Sequence, residues 1–191
     1  MIKTFFSILF LGFLLPSEVS HAAIPTLALT FDTNVQTLNM SSPQEAKIQS
    51  AEEKIKAVVA TEEFRKLVLN HTYNGVKTFV NNNGLSNAQI YQKILEGAEK
   101  LQPAKNNAMD LIIKLYYQNS STIGYTTTGT KTIYMNTKYF NQYNAAGVSH
   151  NMMHEWLHKL GFGHAVSYSP SRDYSVPYAI GYMLKKLAAK Y

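Results

Sequence analysis

Apolar residues first settle into a clear rhythm in "SSPQEAKIQSAEEKIKAVVA" at 41–60, where Ile48, Ala51, Ile55 and Val58 recur at the three-and-four spacing of an amphipathic helix. Ser42, Pro43 and Glu45 stand where an N-cap, a first-turn proline and a capping-box acid belong. "TEEFRKLVLNH" from Thr61 restarts or continues that helix. The pattern then turns to modest alternation in "GVKTFV" at 75–80, read as a strand ending in the turn "NNNG". Ser86 and Gln89 open a second helix with Ile90, Ile94, Ala98 and Leu101 on one face, closed by Pro103. "DLIIKLYYQ" at 110–118 has the β-branched, aromatic and alternating character of a core strand, and "IGYTTTGTKTIYMN" at 123–136 reads as two strands around Gly129. A last strong helical pattern starts near Asn144 and stops at Gly161, with Val148, Met152, Trp156 and Met153, Leu157, Leu160 as buried rows. "LKKLAAKY" closes the chain as the end of a C-terminal helix. Strands and helices segregated in this order predict an α+β fold, a mixed twisted sheet backed by helices.

The first twenty-odd residues break this pattern. Lys3, the apolar run "FFSILFLGFLL" at 5–15 and the small residues of "SHA" at 20–22 form the three regions of a cleavable secretory signal. The run is shorter than the about 20 apolar residues needed to span a bilayer. The expectation is a protein exported to the periplasm or the medium, without stable membrane insertion after cleavage behind Ala22.

The chain has 191 residues and no cysteine, which suits one domain held by its core and by a metal, not by disulfides. A thiol nucleophile and cysteine-ligated zinc are excluded with it. The formal charge of +6 comes from lysines scattered along the chain, which describes a solvated surface and not a nucleic-acid stripe.

The chemistry concentrates in "HEWLHKLGFGH" at 154–164. His154 and His158, four residues apart on a helix, share one face and can direct their imidazoles at one point. Gly161 can take the left-handed conformation that ends the helix and turns the chain back, bringing His164 to the same point. Three histidines with a fourth position open form the donor set of a hydrolytic zinc site. Glu155, beside the first ligand, is placed to act as general base and acid on a metal-activated water. Five specified residues at these offsets arise by accident in roughly one chain in 10⁵ of this length. His150, one turn before His154, reads as a packed histidine.

His154, Glu155, His158, Gly161 and His164 match in full the H-E-x-x-H-x-x-G-x-x-H motif of the metzincin clan of zinc endopeptidases, which the chain resembles over about 75–164. The resemblance implies a metzincin-like zincin fold over 71–191, with a first strand and backing helix in 78–101 and an active-site helix carrying the histidines. It also implies zinc as cofactor and a protein or peptide as substrate. "TIYMN" resembles the edge strand above the clan's cleft, so Thr132, Ile133, Tyr134, Met135 and Asn136 are expected to pair with an extended substrate. The clan's methionine turn has no clean counterpart: in "SVPYAIGYM" either Pro177 takes the methionine's place or Met183 reaches back from the C-terminal helix. Tyr178 is a candidate oxyanion stabiliser or a packed aromatic. The segment after His164 implies a very short C-terminal subdomain, and Ala165 departs from the astacin-like glutamate. Residues 23–70 are either a helical N-terminal extension of the fold or a pro-segment. The expected function is a secreted zinc endopeptidase, and the reading from a different class is a non-catalytic envelope-binding or adhesin domain with structural zinc.

Overall fold

The computed structural model describes residues 30–191. The expected signal segment, 1–22, lies outside the described residues. Among those described, no helix is long and apolar enough to cross a membrane.

The fold is α+β. In chain order it comprises β1 (Asp32–Leu38), α1 (Ser42–Val59), α2 (Glu62–Leu69), α3 (Asn87–Glu96), β2 (Ala108–Tyr116), β3 (Gly124–Thr126), β4 (Thr132–Asn136), α4 (Thr137–Phe140), α5 (Ala145–Lys159), a 3₁₀ turn at Arg172–Tyr174 and α6 (Val176–Ala188). The four strands form one mixed sheet in the order β1-β2-β4-β3. β1 and β4 run parallel to β2, whereas β3 lies antiparallel to β4 as the first arm of a hairpin. Alternation decides which face is covered. Met109, Leu111 and Ile113 of β2 and Ile133 and Met135 of β4 are buried on the helix side, while Lys114 is exposed. On that side α5 packs against α1, α6 and the β3–β4 edge.

Several expectations are corrected here. The sheet's first strand is β1, not 75–80. In that stretch Asn74 (φ 50°) and Gly75 (φ 76°) make a tight turn that bridges Tyr73 to Val76 and leaves Val76 exposed. Only Phe79 is buried, stacked on His71, and Val80 makes a single bridge to Ser175. The helices packed on α5, which carries the three histidines, are α1 and α6, whereas α3 packs on α2. Residues 32–69 therefore supply a strand and two helices to the core, and Phe31 meets Trp156 edge-on at 5.8 Å.

Helix ends moved for local reasons. The cap of α1 is Ser41, whose N–H donates to Gln44 Oε1 at 2.9 Å, and Glu45 instead accepts from Thr37. α3 starts as expected, with Ser86 and Gln89 in a reciprocal capping box. It stops at Glu96 because Gly97 is left-handed (φ 62°) and lies so close to Ala108 that a Cβ would meet its carbonyl oxygen at 2.1 Å. That early stop turns Glu99 inward and leaves Leu101 exposed.

Candidate metal centre

α5 opens at Asn144, whose side chain accepts from Gly147 N–H, and runs to Lys159. Its stop is a paired bond set. Gly161 N–H donates to the His158 carbonyl at 3.0 Å, and Phe162 N–H reaches back to the Leu157 carbonyl at 3.1 Å. Leu157 and Phe162, the apolar pair that accompanies such a stop, are both buried. The bond pattern requires a positive φ at Gly161, and it has 99°. The reversal carries His164 back over the helix end.

The result is a compact triad: ligand nitrogens of His154, His158 and His164 all lie within 4.8 Å of one another. His154 Nε2 and His164 Nε2 are 3.1 Å apart. Two imidazole nitrogens sharing one tetrahedral ion at about 2.0–2.1 Å each would be about 3.3 Å apart, so the spacing fits a bound divalent metal. His158 Nδ1 pairs with the Phe162 carbonyl at 2.8 Å and His164 Nδ1 with the Ala165 carbonyl at 2.9 Å. With Nδ1–H donating to a carbonyl, each ring leaves Nε2 as a free lone pair for a metal. Burial lowers all three histidines below the ordinary imidazole range, and for His154 the charges of His158 and His164 act in the same direction. No further His, Asp or Glu joins the group among the described residues.

Glu155 is 4% exposed, and burial pushes its carboxyl up to about 8, with the charge of Lys159 opposing. Lys159, one turn later and itself 5% exposed, is held down to about 8 by desolvation. Its Nζ donates to the carbonyls of Thr127, Thr130 and Thr132 at 2.9, 2.6 and 3.0 Å, tying the β3–β4 hairpin to α5. Asn151, one turn before Glu155, abuts β3 so closely that a Cβ on Gly124 would meet its Oδ1 at 2.8 Å. On the far side Tyr178, at the start of α6, sets its ring against His154 at 4.5 Å and His164 at 4.7 Å. The Arg172 guanidinium also lies over that ring, 4.5 Å from its centre, and donates to the Tyr178 hydroxyl.

Tyr178 therefore joins the triad, but the expected substrate strand does not hold its role. β4 is interior, paired on both edges, and has no free backbone to offer. Ile133 and Met135 are core residues, Tyr134 stacks on Tyr125 at 4.7 Å, and Thr132 O is taken by Lys159. Asn136 is fully buried and organises the preceding loop, donating to Gln118 O and Thr122 O. The edge strands of the sheet are β1 and β3, and of the two it is β3 that lies against α5.

The two candidates for the methionine turn also find other places. Ser175 caps α6 and Pro177 sits buried in its first turn, while Met183 lies further along α6 and shares a groove with Leu67 and His71. His150 is a packed histidine, as expected: its ring meets Tyr182 at 5.0 Å and fills the space over Gly181, and burial takes it down to about 4, helped by Lys185.

Sequence reasoning missed Lys159, Arg172 and Glu99. Lys159 carried a signal, a lone cation four residues after Glu155 on a buried face. Arg172, one of two arginines in the chain, and Glu99, which accepts from Trp156 Nε1 at 2.5 Å, carried none, because their partners are set by the fold.

No family model, curated protein or solved structure matches this chain. The functional reading rests on its own residues.

Proposed function

We propose that the protein is an exported zinc endopeptidase of metzincin-like design. The observation that carries the reading is three converging imidazoles beside a buried glutamate, with no fourth protein ligand among the described residues. A purely structural zinc site closes its fourth position with protein and has no use for such an acid.

His154, His158 and His164 hold the metal, and an all-imidazole set suits zinc. Zinc, when bound, supplies an acidified water and a Lewis acid at the open position. Glu155 moves the protons. Its carboxylate takes one from the attacking water and returns it to the leaving amine, a task for which a carboxyl raised toward neutrality is suited. The Tyr178 hydroxyl accepts from Arg172, which leaves its own O–H free to donate to the developing oxyanion. An extended peptide pairs with the free edge of β3, which Lys159 and Asn151 hold against α5. The signal pattern at 1–22 supports export.

Cleavage of a peptide library by the zinc-loaded protein, followed by mass spectrometry, tests this reading. Glu155→Ala is expected to lower turnover by at least about 10²-fold while retaining one bound metal. Unchanged turnover in that variant removes the mechanism.

A further inference from the structure

Arg172 carries a charge that the proposed mechanism does not consume. It stands on the 3₁₀ turn after the loop from His164, and no carboxylate lies within ion-pair distance of it among the described residues. Its one side-chain hydrogen bond there is to the Tyr178 hydroxyl, and its Nε is buried without a partner. A guanidinium has five N–H donors in a planar fork matched to a carboxylate, so most of this fork is uncommitted. The contact over the Tyr178 ring and the hydrogen bond to its hydroxyl hold the guanidinium in place, and the same ring packs on His154 and His164. A preorganised, unpaired cation thus stands one aromatic ring away from the metal ligands. The whole chain is also cationic, at +6, which favours encounter with anionic ligands.

We infer that Arg172 is a specificity-determining residue that anchors a carboxylate of the substrate close to the scissile bond. The inference rests on the peptidase reading and narrows its substrate class to peptides bearing a carboxylate at that position. Two sources share this chemistry: the side chain of Asp or Glu, and the α-carboxylate of a chain terminus, which would make the protein trim peptide ends.

Equilibrium binding to the zinc-loaded Glu155→Gln variant tests it without turnover. Three sets of matched peptides are titrated: C-terminally amidated peptides without acidic residues, amidated peptides with Asp or Glu scanned through each position, and acid-free peptides with a free C-terminus. One carboxylate set is expected to bind at least about tenfold more tightly than the neutral set, and which set it is identifies the source. Adding Arg172→Gln should bring the ratio to within about twofold. Arg172→Lys, which keeps the charge but not the fork, should fall between. Circular dichroism melting shows whether each variant is folded, and a preference retained in folded Arg172→Gln overturns the assignment. Equal affinity for all three sets overturns the carboxylate site and leaves the peptidase standing. Failure of every peptide to bind the metal-loaded protein overturns both.

Discussion

His154, His158 and His164 must be neutral to hold a metal, and their surroundings keep them so. Burial disfavours the imidazolium in each, and the three lie close enough that one charge raises the cost of the next. A histidine lowered by folding binds fewer protons in the native state than in the unfolded chain, so its contribution to stability is present above the unfolded value of about 6.5 and is lost as pH falls through the folded one. Metal binding has the same dependence, because protons displace the metal only once the rings titrate. Affinity measured by chelator competition is expected to stay flat from about pH 8 to about pH 6.5 and to fall below that. A decline that is already steep between about pH 8 and about pH 7 contradicts neutral, preorganised ligands. These residues were legible in the sequence because their geometry is local: offsets of 4 and a glycine stop are properties of one helix and its end. Arg172 and Glu99 were not, because Tyr178 and Trp156 come to them only through packing.

At the scale of elements, the end of α5 does the most. Gly161 combines the positive φ of the helix stop with close contact, since a Cβ there would meet Lys100 Cε at 2.4 Å. Lys100 can move, but the backbone cannot relax without shifting His164. Gly161→Ala is expected to cost about 1–2 kcal/mol from the left-handed backbone, a fall in Tm of about 2–8 °C for a chain of this size. Metal affinity should fall as well, and a variant with wild-type melting and wild-type affinity shows that the turn is not strained and not required. Strand and hairpin assignments divided along a physical line. The β3–β4 hairpin was readable because its two arms are close in sequence, whereas 75–80 was not a strand because Asn74 and Gly75 commit those residues to a two-residue turn. Which strand lies at the edge was beyond the pattern. β4 has the composition of any half-buried strand, and only its pairing with both β2 and β3 shows that its backbone cannot pair with a further strand.

The whole molecule depends on its N-terminal part. β1 pairs along its full length with β2, α1 packs on α5 and α6, and Phe31 touches Trp156 on the histidine helix. A segment with this many long-range partners is built into the domain, which the helical pattern at 41–60 alone did not reveal. A chain trimmed to 39–191 is therefore expected to lose cooperative thermal unfolding and one-to-one metal binding in the same calorimetric and chelation measurements; retention of both contradicts the role assigned to β1. The central claim is that one metal, held by three histidines of this single domain, confers peptidase activity. Its most direct test is to strip the purified protein with chelator, add zinc back in steps, and follow peptide cleavage by mass spectrometry at each step. Cleavage that is absent from the stripped protein, rises in proportion to zinc and saturates at one equivalent is the predicted result. Cleavage that survives stripping, or one full equivalent of bound zinc with no cleavage of any peptide, contradicts the claim.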